Sequence, residues 1–168
     1  MDFLSLMRRF MEADARIVLI GGLAAVLHGV PIVTNDVDLC YDTSADNREK
    51  VIAVLAPLHP SLRVARMTED EARSLPFFWD SRTLRDTPNV TLRTDAGDID
   101  LLATVQGVGS FTAVLAAAET LDVDGVVIPI LDLPGLILAK RAAGRPKDLF
   151  ALPLIEAALL NREAGYKE

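Results

Sequence analysis

Residues 2–12 place Phe3, Leu4, Met7, Phe10 and Met11 on one side of a helical period, which predicts a short amphipathic helix. Arg16-Ile17-Val18-Leu19-Ile20 is then a nearly continuous apolar run, the pattern of a buried strand. Gly21-Gly22 turns the chain into a helix over 23–28, and Gly29 and Pro31 end it. From Asp36 the rhythm is strict alternation. Asp36 and Asp38 fall on one strand face, Val37 and Leu39 on the other. Val51, Ile52, Leu55 and Leu58 then stripe a helix over 45–58, with Thr43 and Asp46 as its capping pair.

Further along, Leu62–Ala65 reads as a short strand. Residues 67–80 fit no single period. A charged run, Glu69-Asp70-Glu71, is followed by Pro76-Phe77-Phe78-Trp79, whose aromatics line the core or stack on a base. Val90–Thr94 and 98–105 are hairpin partners around Asp95-Ala96-Gly97. A helix over 111–118 and two strands, 120–123 and 126–130, come next. Asp132 caps a helix over 133–143. Two short helices, 147–152 and 154–162, part at Pro153. The pattern predicts an α/β (α+β) fold: a mixed, partly antiparallel sheet flanked by helices. A core over 1–132 carries a C-terminal helical element over 133–168 of the same domain.

Composition narrows this. Apolar residues are 51% of the 168-residue chain, enough for a sizeable core and too many for disorder. The net charge of −7 argues against a broad electrostatic grip on nucleic acid. It leaves room for one local basic cluster, Lys140-Arg141 to Arg145-Pro146-Lys147. The single cysteine, Cys40, excludes a disulfide framework and a zinc spacing, and fits a small buried strand residue. No apolar run reaches a membrane span, and Met7-Arg8-Arg9 interrupts any signal-peptide core. A cytoplasmic setting is expected. His28 and His59 are expected to be satisfied locally at helix ends.

The candidate chemistry is acidic. Two carboxylates two residues apart on a strand stand about 6.7 Å apart along it. Their repulsion is roughly 2.5 kcal/mol at an intermediate dielectric. A hard divalent cation offsets this, and paired ions on shared carboxylates suit in-line attack at phosphorus. A solvated strand end is the plainer alternative for Asp36-Val37-Asp38. A second acidic strand, Gly97-Asp98-Ile99-Asp100-Leu101-Leu102, adds Asp98 and Asp100 on one face. The basic cluster reads equally as a solvated corner between helices or as a phosphate-binding group.

Four segments in this order resemble a known group. They are Gly21-Gly22, Thr34-Asn35-Asp36-Val37-Asp38-Leu39, Gly97–Leu102 and Lys140–Asp148. The chain is similar to nucleotidyltransferases of the DNA polymerase beta superfamily, and in particular to the small prokaryotic AbiEii-type (MenT-like) members, from Ile17 to Leu152. The first segment lacks the Gly-Ser hydroxyl of many members, and Ile32 stands where many carry Arg.

The resemblance implies that Asp36, Asp38 and Asp100 hold Mg2+ (or Mn2+) and carry catalysis, with Asp98 the alternative third carboxylate. It implies that Gly21, Gly22, Thr34, Lys140, Arg145 and Lys147 bind the nucleotide, with Asp148 orienting a basic neighbour. The implied reaction moves a nucleoside monophosphate from a nucleoside triphosphate to a hydroxyl of RNA (tRNA included), a protein or a small molecule. The implied setting is toxin–antitoxin or phage defence, with a cognate antitoxin as partner. The alternative is a non-catalytic nucleotide- or partner-binding module on the same scaffold.

Overall fold

The computed structural model describes residues 2–64 and 66–165. Ala65, the end of one expected strand, and residues 166–168, the end of the expected C-terminal element, lie outside the described residues. The first half of the chain runs α1 (Phe3–Glu12), β1 (Ile17–Ile20), α2 (Gly21–Leu27), β2 (Asp36–Tyr41), α3 (Ala45–Leu55), β3 (Ser61–Leu62), α4 (Glu69–Arg73) and α5 (Ser81–Asp86). The second half runs β4 (Val90–Thr94), β5 (Gly97–Leu102), β6 (Thr104–Val105), β7 (Gly109–Ser110), α6 (Phe111–Ala116), β8 (Ala118–Val123), β9 (Val126–Leu131), α7 (Leu133–Ala143) and α8 (Pro146–Gly165).

Seven strands form one mixed sheet in the order β3-β4-β5-β2-β1-β9-β8. The pairs β2–β5 and β1–β9 are parallel, and the others are antiparallel. All four residues of β1 are buried, as its unbroken apolar run requires. In β2 the alternation holds: Val37, Leu39 and Tyr41 are buried while Asp36 and Asp38 are only partly covered. Each fully buried leucine or valine contributes about 1.5–3 kcal/mol over an exposed one. That burial fixes the register, because a one-residue slip would drive both aspartates into the core. Tyr41 is fully buried too, and its hydroxyl donates to the Pro88 carbonyl at 2.9 Å. Cys40 is fully buried, and burial pushes its thiol up to about 12.

Several elements differ from the sequence reading. The glycine pair does not precede α2 but forms its first turn. Ser44, not Thr43, caps α3 through the Asn47 N–H. The unplaced stretch folds as α4, capped by Thr68 and Glu71, followed by an irregular segment. Trp79 donates its ring N–H to the Ile52 carbonyl at 3.0 Å, and both Trp79 and Phe77 pack on the core, while Phe78 is exposed.

The two C-terminal helices are one. α8 runs straight through Pro153. Proline removes one helix hydrogen bond and crowds the carbonyl four residues back. Here both Pro153 and Leu149 are exposed, so the freed carbonyl faces water.

His28 is satisfied, but over a long range. Its Nε2 is 2.8 Å from the Leu131 carbonyl, and its Nδ1 is 3.3 Å from Glu119. The ring thereby ties the end of α2 to β8 and β9. His59 adopts a left-handed backbone and bonds Asp95 at 2.6 Å.

Candidate functional site

The site lies where β2 and β5 run side by side. Their parallel register sets Asp36 against Asp98 and Asp38 against Asp100. Residues directly opposite on neighbouring strands share a face, so four carboxylates crowd one patch of the sheet. Oxygens of Asp36, Asp38 and Asp100 all come within 4.8 Å of one another. Asp98 is not in that group. It is held aside by Arg63 at 3.0 Å and Arg93 at 3.4 Å.

Each carboxylate has its own electrostatic setting. Burial pushes the Asp38 carboxyl up to about 6, helped by the charges of Asp36 and Asp100. Burial also raises Asp100, opposed by the Arg63 guanidinium. For Asp36, burial acts upward too, but the Thr34 hydroxyl and the charge of Lys147 outweigh it, and the carboxyl titrates below its usual range. The Thr34 hydroxyl donates to Asp36 Oδ1 at 2.8 Å.

The glycine pair is dictated by this geometry. Gly21 has φ +70°, and a Cβ there would stand 2.0 Å from Asp38 Oδ2. A Cβ on Gly22 would stand 2.7 Å from Thr34 Oγ1. Only glycine lets the first turn of α2 lie against the acidic strand.

The basic cluster faces the same place. A cleft of about 790 Å3 is lined by Gly21, Gly22, Thr34, Asp36 and Asp38 on one side and by Lys140, Arg145 and Lys147 on the other. Asp148 is 1% exposed at its side chain and accepts from Arg145 at 2.6 Å and Lys140 at 3.2 Å. It fixes two cations of the cluster at once, while Lys147 stays exposed with its charge felt by Asp36 and Asp38. Two apolar side chains stand open on the rim, Val33 at 93% and Phe150 at 77% exposure. The aromatics at 77–79 are not among the residues lining this cleft; Phe77 and Phe78 line a separate depression.

Arg63 is the site residue that the sequence reading missed. It follows β3 and continues its pairing: its N–H donates to the Thr91 carbonyl at 2.9 Å. Thr91 in turn stands opposite Asp100. Arg63, Thr91 and Asp100 therefore form one row across three strands. No local pattern carries that signal, because the row depends on pairings between distant segments.

Three oxygen-donor carboxylates, mutually repelling and partly buried, suit a hard divalent cation. Burial, with the charges of Asp36 and Asp100, holds one of them, Asp38, well above its ordinary pKa. The residues present therefore fit Mg2+ or Mn2+.

No protein-family model matches the chain, and no curated protein matches it by sequence. Solved structures do resemble it. One is a Thermotoga maritima protein described as a candidate nucleotidyltransferase, 14% identical with a TM-score of 0.53, the match covering 98% of this chain and 91% of that one. Another is ANT(2″)-Ia in complex with adenylyl-2″-tobramycin, 12% identical with a TM-score of 0.56, covering 95% and 91%. The solution structure of the antibiotic-resistance factor ANT(2″)-Ia is 13% identical with a TM-score of 0.53, covering 98% and 94%. What this chain shares with them over nearly its whole length is a mixed sheet flanked by helices, the nucleotidyltransferase fold.

Proposed function

We propose that this protein is a metal-dependent nucleotidyltransferase that moves a nucleoside monophosphate from a nucleoside triphosphate to an acceptor hydroxyl. The observation that carries the reading is the convergence of Asp36, Asp38 and Asp100 beside the glycine pair and the basic cluster. Asp36 and Asp38 hold the metal, with Asp100 as the third carboxylate. Bound Mg2+ or Mn2+ would supply charge stabilisation on the phosphoryl oxygens.

The chain's own residues do the rest. Gly21 and Gly22 let the triphosphate approach the backbone, and Thr34 holds Asp36 in its charged form. Lys147, with Lys140 and Arg145 fixed by Asp148, meets the negative charge of the departing pyrophosphate. Asp100, raised by burial, accepts the proton of the acceptor hydroxyl. That oxygen bonds to the α-phosphorus as the bond from phosphorus to pyrophosphate breaks, and its electron pair leaves with pyrophosphate. Val33 and Phe150 offer apolar surface to the base. From the C-terminal element, Lys140, Arg145, Lys147 and Phe150 face the core across the cleft.

In ANT(2″)-Ia the bound molecule is an adenylyl group on tobramycin, which is the kind of product this scheme makes. The AbiEii-type subtype, a toxin–antitoxin setting with a cognate antitoxin, and a cytoplasmic location belong to the same proposal. They rest on the order of the four segments and on a chain with a single, buried cysteine. Among the described residues no helix is long and apolar enough to cross a membrane.

The test is pyrophosphate release and transfer of label from each α-labelled nucleoside triphosphate, with Mg2+ and a cell extract as acceptor source. Asp36→Ala and Asp38→Ala should abolish transfer and leave folding intact. Full transfer by either variant ends the proposal.

A further inference from the structure

A second cavity of about 510 Å3 shares Gly21, Asp38, Lys140, Arg145 and Asp148 with the first. We propose that it is the acceptor site and that it takes a small, uncharged hydroxyl compound. The proposal rests on the nucleotidyltransferase reading above and names what that reaction acts on.

The argument begins with direction. In-line displacement puts the entering hydroxyl and the departing pyrophosphate on opposite sides of the phosphorus. The first cleft holds Thr34, Asp36 and Asp98, at or before the starts of the parallel strands β2 and β5, together with Lys147. That is where the pyrophosphate belongs. The second cavity is lined by Leu102 at the other end of β5, and by Thr104, Val105 and Gln106 just beyond it. Asp38, Lys140, Arg145 and Asp148 line both and mark the boundary between them, where the α-phosphate sits, while Lys147 lines only the first. A compound in the second cavity therefore reaches the carboxylates from the side away from Lys147.

Chemistry of the walls sets the class of compound. The charged residues there are two anions, Asp38 and Asp148, and two cations, Lys140 and Arg145. Asp148 closes on both cations, and Asp38 belongs to the metal group. One positive charge remains once Asp148 is set against two cations, and it is committed to the triphosphate, so the acceptor meets no spare charge of either sign. The remaining polar groups are neutral: Asn89, Thr104 and Gln106. Asn89 Oδ1 accepts the Ala103 N–H at 2.8 Å, which fixes the amide and leaves its NH2 to donate to a ligand oxygen. Leu102, Leu136, Ala139 and Ala143 supply apolar surface. A cavity of this size and mixture suits a small molecule with several hydroxyls. In the transfer, the ligand O–H, brought in beside Asp38, gives its proton to Asp100, whose oxygen lies within 4.8 Å of an Asp38 oxygen, as the ligand oxygen bonds to phosphorus and pyrophosphate departs.

The experiment uses the full chain with Mg2+ and α-labelled nucleoside triphosphates. The probes are trehalose and myo-inositol as neutral compounds, tobramycin as a polycation, glucose 6-phosphate as an anion, and total tRNA. Ala143→Trp fills the cavity, and Gln106→Ala, at an exposed position, is a second variant should the first fail to fold. The expected result is label on a neutral probe and on none of the charged ones. Ala143→Trp lowers that transfer about tenfold or more, or Gln106→Ala raises the KM for the neutral probe about as much. The nucleotide raises the melting temperature of variants and wild type alike.

Label on tobramycin, glucose 6-phosphate or tRNA instead overturns the inference. Neutral transfer untouched by either variant does the same. So does a wild type that the nucleotide stabilises but that labels neither neutral probe. If the nucleotide does not stabilise the wild type at all, the transferase reading falls and takes this one with it.

Discussion

Arg63 donates to Asp100 Oδ1 at 2.6 Å and to Asp98 Oδ2 at 3.0 Å, bridging the two aspartates of β5 with one guanidinium. The bridge has two consequences. It relieves the repulsion among four carboxylates on adjacent strands, and it fixes the rotamer of the residue proposed to take the acceptor's proton. Arg63→Ala should therefore lower the stability of the metal-free protein by roughly 1–2 kcal/mol, since the pair is only partly buried. Mg2+ should restore most of that. Transfer should fall by about ten- to a hundredfold, mainly in kcat, because Asp100 loses its orientation. Denaturant titrations with and without Mg2+, alongside initial rates, check both. A variant as active as wild type would leave Arg63 with a structural role alone.

Asp38 gives a pH dependence of unusual sign. Its folded pKa of about 6 lies above the ordinary 3.8. Between those values the folded protein holds a proton that the unfolded chain has released. Stability from this group therefore falls as pH rises through the window, by up to roughly 3 kcal/mol. Asp38→Asn should be more stable than wild type above pH ~6 in EDTA, and the gap should close below pH ~4. With Mg2+ the order should reverse, because only the wild type gains the ion. The same variant should lose transfer. Thermal melts across pH in EDTA and in Mg2+ decide it.

The glycine pair yields an asymmetric prediction. Gly21→Ala meets two penalties, a left-handed φ and a Cβ 2.0 Å from Asp38 Oδ2. Gly22→Ala keeps an ordinary φ, but its Cβ would stand 2.7 Å from Thr34 Oγ1 and 2.9 Å from Thr34 Cβ, so Thr34 must shift. The first should cost about 1–3 kcal/mol and displace a metal ligand. The second should cost less than the first, about 1 kcal/mol, and raise KM for the nucleotide more than it lowers kcat. Equal effects of the two on kcat would show that the Gly21–Asp38 approach does not position the metal group.

How much of this was legible follows from the range of each signal. The face shared by Asp36 and Asp38 is a property of one strand, so alternation alone gives it. The placement of β5 against β2 is not local, so only the motif order pointed to Asp100, which the structure sets opposite Asp38. Arg63 was illegible because its row through Thr91 joins three strands from separate parts of the chain. Pro153 misled for the opposite reason. The local rule is sound, but exposure of Leu149 and Pro153 lets water take the freed carbonyl. The same holds for His28, whose partners lie on β8 and β9, out of reach of any reading of α2 alone.

Asp148 makes the clearest contrast with Asp38. It is the more buried, yet its carboxyl titrates below the ordinary range. Burial pushes it up, and the hydrogen bonds from Arg145 and Lys140 outweigh that. A depressed folded pKa means stability that is present above the ordinary 3.8 and lost as pH falls through the folded value. The two aspartates thus tilt the stability curve in opposite directions, Asp148 against acid and Asp38 against neutrality. Asp148→Asn should cost about 3 kcal/mol at pH 7, chiefly because it leaves the mostly buried Lys140 with no counter-charge, while Arg145 stays open to water. The gap to wild type should narrow at low pH, where the wild-type carboxylate is itself protonated. Lys140 and Arg145 should also lose their fixed positions over the cleft, so kcat should fall while the metal group at Asp36 and Asp38 still binds Mg2+. A loss of Mg2+ binding in Asp148→Asn, measured by calorimetry, would mean that the basic cluster supports the acidic group directly rather than the phosphates between them.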